Sequence, residues 1–64
     1  METFKERLFK EREDLQVKFE KLQSFIHGEK FLDVPEIQRT LLLVQVRAME
    51  TYLVCLNQRL INLA

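Results

Sequence analysis

Apolar side chains recur in a heptad pattern along the second half of the chain. Seven apolar positions follow one another at alternating spacings of four and three residues, the pattern that lays a continuous seam along one helix. No glycine or proline follows Pro35, so we predict a helix over about 34–63. We expect its seam to form the core of the protein and of its oligomer; the seam consists of Leu42, Val46, Met49, Leu53, Leu56, Leu60 and Leu63.

A second apolar stripe runs through the first half of the chain and predicts another helix, over about 3–27. Its spacings of three, four and seven residues fit a period of 3.6, and the intervening positions are mostly charged, as on a helix with one face in solvent. The stripe is interrupted at Glu11 and Arg12. It consists of Phe4, Leu8, Leu15, Phe19, Leu22 and Ile26.

The single glycine and the single proline both lie in the stretch HGEKFLDVPE, which we interpret as the connection. Gly28 is expected to end the first helix in a left-handed conformation. Asp33 and Glu36 resemble a capping box for the second helix, with Pro35 in its first turn and Phe31 tucked in beside the cap. The predicted fold class is all-α: one domain, 1–64, forming an antiparallel two-helix hairpin.

The second helix carries more apolar surface than one neighbouring helix can cover. A helix that is apolar around most of its circumference is normally buried by several neighbours. We therefore predict that the hairpin self-associates into a helical bundle, most simply a two-fold dimer with the second helix at its centre. The apolar positions outside the seam are Leu41, Leu43, Val44, Ala48, Tyr52, Val54, Cys55 and Ile61.

Composition excludes several classes of function. The chain has 64 residues, one cysteine and one histidine, so neither an internal disulfide nor a Cys/His zinc cluster is expected, and we predict no metal and no cofactor. Ten basic residues balance ten acidic ones, which removes the electrostatic drive toward DNA and anionic membranes. The apolar run at 41–56 contains Arg47 and Glu50 and is too short to span a membrane.

No catalytic constellation is evident. Ser24 and His27 are three residues apart, but they have neither a third member nor a glycine-rich oxyanion loop. We interpret Cys55 as a small buried apolar residue instead of a nucleophile. The chain is therefore predicted not to be an enzyme.

Polar residues spaced seven apart form a row along one edge of the second helix: Gln38, Gln45, Tyr52 and Arg59. One interpretation is a polar rim that fixes the register of an oligomer. The other is a strip that binds a ligand, with aromatic and guanidinium groups for a ring and amides for its edges. The candidate ligand-binding residues are Gln45, Tyr52, Arg59, Arg47, Arg39 and Lys30.

The same segments resemble a family of short phage and prophage proteins first labelled from crAss-like phage genomes. In the first helix the matching positions are Glu6, Arg7, Leu8, Glu11, Leu15, Lys21 and Leu22. In the second they are Leu41, Leu42, Gln45, Ala48, Met49, Tyr52, Leu53, Leu56 and Arg59. The resemblance covers nearly the whole chain.

The resemblance implies a small accessory phage protein in the cytoplasm of the infected or lysogenic bacterial host. Small phage hairpins that oligomerise include sponges that counter the CBASS and Thoeris defences, and the architecture is similar to theirs. Two hypotheses follow. In the first, an oligomer sequesters a cyclic nucleotide or an ADP-ribose-derived signal between protomers; in the second, the chain is a protein–protein interaction module, an inhibitor or adaptor of a host or phage protein.

Overall fold

The structure, a computed structural model, describes residues 3–63 as two long helices joined by a short 3-10 helix. Helix α1 spans Phe4–Ile26, the 3-10 helix spans Glu29–Asp33, and helix α2 spans Glu36–Ile61. The two long helices pack against each other as an antiparallel hairpin, and residues 3–63 contain no β-strand. The predicted all-α hairpin is confirmed.

Helix α1 begins where the sequence predicts but ends differently. Thr3 is its N-cap, and the Thr3 hydroxyl accepts a hydrogen bond from the Glu6 backbone N–H at 3.1 Å. At the other end the His27 backbone N–H donates to the Gln23 carbonyl at 3.2 Å. The prediction of a left-handed Gly28 is wrong, since its φ is −92° and its ψ is 165°, an extended conformation. The chain passes directly from α1 into the 3-10 helix and makes no αL turn at this residue.

Helix α2 lacks the predicted capping box. Pro35 is the N-cap residue, its carbonyl accepting from Arg39, and no side chain caps the helix. Asp33 belongs to the 3-10 helix, too early to reach the free N–H groups of α2. Phe31 is half-buried, and its ring lies edge-to-face against Phe25 of α1 at a centroid distance of 6.1 Å.

The core lies between the two predicted seams. Leu8 of α1 and Leu53 and Leu56 of α2 are buried, and Leu56 is completely inaccessible. Most other seam residues are half-buried, whereas the seam ends Phe4 and Leu63 are exposed. The off-seam apolar residues of α2 face solvent, and this includes Cys55. A hairpin thus buries one seam of α2 and leaves the remainder of its apolar surface uncovered.

Replacing Leu56 with alanine should lower the free energy of unfolding by about 2–5 kcal/mol, because a fully buried leucine leaves a cavity when truncated. Chemical denaturation followed by circular dichroism measures this loss. The matched control is Leu32→Ala, since Leu32 is 72% exposed and a surface truncation should cost no more than about 0.5 kcal/mol. Equal losses in the two variants would contradict the described core.

Gly28→Ala should leave stability unchanged or raise it by about 0.4–1 kcal/mol, because alanine adopts the observed backbone angles and restricts the unfolded chain. An added Cβ would lie 3.4 Å from the Phe25 carbonyl oxygen, an ordinary contact. Chemical denaturation followed by circular dichroism measures the change in the free energy of unfolding. A loss of about 1–2 kcal/mol would instead indicate a left-handed glycine.

Candidate functional site

A groove runs along one side of the hairpin, where a flank of α1 meets the polar row of α2. Its larger part has a volume of about 430 Å³ and is lined by Arg7, Lys10, Glu11, Asp14, Leu15, Lys18 and Tyr52. An adjoining pocket of about 300 Å³ shares Arg7 and Glu11 and adds Phe4, Leu8 and Arg59. We call the two together the cationic groove.

The spacing of residues along α1 explains the convergence of charge in the cationic groove. Arg7, Glu11, Asp14 and Lys18 follow one another at four, three and four residues, so they form a second stripe parallel to the apolar one. With Lys10 and Arg59 the groove holds four cationic and two anionic side chains, a net charge of +2. The whole chain has a net charge of zero, so positive charge is concentrated here.

Tyr52 and Glu11 join the two helices across the cationic groove. The Tyr52 hydroxyl donates a hydrogen bond to the Glu11 carboxylate, at the position where the apolar stripe of α1 is interrupted. This hydrogen bond to Glu11 is the main reason that the pKa of Tyr52 lies above its ordinary value of 10.0; desolvation and the charge of Glu11 raise it further, and Arg59 opposes them.

Arg59 contacts an aromatic ring at the end of the cationic groove. The Arg59 Cζ atom lies 5.9 Å from the centre of the Phe4 ring, within the range of a cation–π interaction. Both groups are exposed, so the guanidinium is held near the groove while its donors stay accessible. An aromatic ring, a guanidinium and a phenol therefore lie along one groove.

A second groove of about 230 Å³ lies on another side of the helix pair. Arg47 and Glu50 line it together, and their opposite charges cancel. The other lining residues are Phe19, Gln23, Ile26, His27, Leu43 and Val46. It provides an internal comparison for the cationic groove.

The six candidate ligand-binding residues are divided among several places. Tyr52 and Arg59 line the cationic groove, and Arg47 lines the second groove. Gln45 and Lys30 are exposed and line neither groove. Arg39 is half-buried with its Nε buried, and it also lines neither groove.

The contribution of α1 to this site does not follow from its charge pattern, which is typical of a solvated face. In the structure Arg7, Lys10, Asp14 and Lys18 form one wall of the cationic groove. One signal was present in the sequence: the apolar stripe of α1 is interrupted by the polar Glu11, and Glu11 is the residue that accepts the hydrogen bond of Tyr52.

Within residues 3–63 no group of three or more histidine, cysteine, aspartate or glutamate side chains is placed to hold a metal ion. Neither helix in this part of the chain is long and apolar enough to cross a membrane.

Comparison with known proteins places the chain in a family. Residues 2–62 match the family described as Sequestin. The chain belongs to the Sequestin family. This Sequestin chain is also 33% identical over 60 residues, 94% of each chain, to an uncharacterized 7.5 kDa protein in the denB-rIIB intergenic region of Enterobacteria phage T4. The resemblance to short phage proteins is thereby confirmed, whereas the link to crAss-like phages stays a prediction. No solved structure matches.

Tyr52 should titrate above its ordinary pKa of 10.0. It is the only tyrosine and the chain has no tryptophan, so the ultraviolet absorbance of phenolate reports on it alone. Glu11→Ala should lower the pKa toward the ordinary value, and Glu13→Ala is the matched control. Because the folded-state pKa is raised, the stabilising contribution of this pair is complete below about pH 10 and is lost as pH rises through the folded-state pKa. Identical titration curves for wild type and Glu11→Ala would contradict the described contact.

Proposed function

We propose that this Sequestin-family protein is a non-catalytic phage accessory protein that sequesters a nucleotide-derived signal in an oligomeric helical bundle. The signal belongs to the cyclic nucleotides or the ADP-ribose-derived molecules, and its removal from the bacterial cytoplasm counters host defence. The family name, Sequestin, is consistent with a role in sequestration. The similar chain from phage T4 supports the setting of a phage.

One observation carries the proposal. A chain whose net charge is zero has a net charge of +2 in one groove, and that groove also presents aromatic rings. Phosphate groups need cationic donors, and guanidinium groups can bind them through two parallel hydrogen bonds. The pocket volumes of about 430 and 300 Å³ lie within the range of small-molecule sites. Anionic ligands of nucleotide size thus suit the cationic groove better than the second groove, where the charges of Arg47 and Glu50 cancel.

Each polar group of the cationic groove has a role in this proposal. Arg7 and Arg59 bind phosphate oxygens, and the rings of Tyr52 and Phe4 offer surfaces on which a base stacks. Glu11 orients the Tyr52 hydroxyl and limits the positive charge of the empty groove. Binding then needs no covalent step, which accords with the absence of a catalytic constellation in the sequence.

The alternative function is a protein–protein interaction module. Exposed apolar residues favour it, since Leu43, Val54 and Ile61 form another stripe along α2 and are 46%, 58% and 69% exposed. Arg47 and Glu50 interrupt this stripe. A host or phage protein that binds there would need complementary charges as well as apolar surface.

Thermal-shift measurements with cyclic dinucleotides, cyclic trinucleotides and cyclic ADP-ribose isomers test the proposed function. A ligand at one hundred times its Kd stabilises the folded state by about 2.7 kcal/mol, which raises the melting temperature. Arg7→Ala and Arg59→Ala should each weaken binding by about tenfold to a hundredfold, the loss of one charge-assisted contact. Glu11→Gln should strengthen binding, because it removes a negative charge beside the phosphates.

Arg47→Ala is the matched control, because it removes the same side chain from the second groove and should leave affinity unchanged. The double variant Tyr52→Ala/Arg59→Ala should abolish ligand binding and leave the oligomer intact. The absence of any shift with all these ligands, together with a host protein that co-purifies in stoichiometric amount, would exclude sequestration and favour the interaction module.

A further inference from the structure

Helix α2 carries a second complete heptad seam, separate from the one that faces α1. Six uncharged residues follow one another at spacings of four, three, four, three and four. On an ideal helix they are centred about 135° away from the first seam. We call them the outer seam: Ile37, Leu41, Val44, Ala48, Thr51 and Cys55.

The outer seam is uncovered in the hairpin. Ile37, Leu41 and Val44 are 65%, 52% and 61% exposed, and Ala48, Thr51 and Cys55 are exposed as well. The other exposed stripe of α2 contains Arg47 and Glu50, whereas no charged residue lies within the outer seam. Of the two, only the outer seam has the composition of a coiled-coil core.

The surface area of the hairpin indicates how much of it a partner should cover. It exposes 5268 Å², whereas a compact monomer of 7.7 kDa exposes about 4,300 Å². The excess of roughly 900 Å² matches the area of about 800 Å² that each partner buries in a stable interface. The radius of gyration, 14.7 Å, also exceeds the value of about 11 Å expected for a compact domain of this length.

We propose that the outer seam is a homodimer interface in which α2 packs antiparallel against α2 of a second copy around a two-fold axis. This assembly deepens the proposed function by naming the partner and the face. The occupant is a second copy because the seam is complementary to itself. In an antiparallel heptad pair Ile37 faces the partner's Cys55, Leu41 faces the partner's Thr51, and Val44 faces the partner's Ala48.

The sizes of these side chains select the antiparallel arrangement. Every pair joins a larger residue with a smaller one, which fills the space between two helices evenly. A parallel dimer would place Ile37 on Ile37 and Leu41 on Leu41 at one end, and the small residues on each other at the opposite end. Such a pair would splay apart at the first end and leave voids at the second.

The antiparallel arrangement also completes the candidate ligand site. A two-fold axis perpendicular to both helices brings the same flank of each α2 together. That flank carries Gln45, Tyr52 and Arg59, which lie between the first seam and the outer seam. The two cationic grooves then lie on one side of the dimer. Gln45 lines neither groove in the hairpin, but in the dimer it lies beside the partner's polar row and joins the site. This last step rests on the proposed function.

Disulfide trapping of the Ile37→Cys variant tests the arrangement. Its new thiol should bond to the partner's Cys55 under mild oxidation and give a covalent dimer on a non-reducing gel. Ile37→Cys with Cys55→Ser is the matched control and should stay uncrosslinked. Wild-type protein should also stay uncrosslinked, because the two Cys55 residues would lie about 27 Å apart. A ready Cys55–Cys55 disulfide in the wild type would indicate a parallel pair and overturn the proposal.

Light scattering at micromolar concentration provides the second measurement. Wild-type protein should have a mass of at least twice 7.7 kDa. The Ala48→Glu variant should be monomeric, because it places a charge in the outer seam. The Val54→Glu variant is the control and should still associate, because Val54 lies outside that seam. A stable wild-type monomer would overturn the interface. Nucleotide binding by a monomer would support sequestration and contradict the oligomeric part of the proposal. A trapped dimer that binds no nucleotide would support the interface and contradict sequestration.

Discussion

The structure depends on a mismatch between the apolar surface of α2 and the surface that one neighbouring helix can cover. Helix α1 buries Leu53 and Leu56 with its own Leu8, and this contact defines the hairpin. Only these three apolar residues are buried among those that the structure describes. So small a core leaves little margin against the conformational entropy of some sixty ordered residues. In the proposed dimer, association would stabilise the fold as well as complete the ligand site.

The heptad pattern was sufficient to predict the hairpin because regular helices follow from local periodicity and the absence of helix breakers. The connection was harder to predict. Gly28 and the Asp33–Glu36 pair fit standard capping signals, but a 3-10 helix occupies Glu29–Asp33 and displaces both. The observed segment also makes a tertiary contact, Phe25 against Phe31, which local sequence signals do not predict.

The candidate site was only half visible in the sequence. Tyr52 and Arg59 stood out because they share a heptad edge, but the charges of α1 could be assigned to a wall only once the rotation of α1 against α2 was known. A rotation of α1 by a few tens of degrees would move Arg7 and Lys18, which are exposed, away from Tyr52 and Arg59. The Tyr52–Glu11 hydrogen bond links the two helices across the groove, so it ties the packing of the hairpin to the placement of charge.

The two interpretations of the polar row, register and ligand binding, are compatible in an antiparallel dimer. A row of Gln45, Tyr52 and Arg59 beside an apolar seam opposes alternative registers, since a shifted pairing would bury their polar groups without partners. In the proposed dimer the same row would line the space between the two copies, where a ligand would satisfy those groups. A ligand that contacts both protomers binds the dimer more tightly than the monomer, so it also stabilises the assembly by mass action. Sequestration and oligomerisation would then be one linked equilibrium.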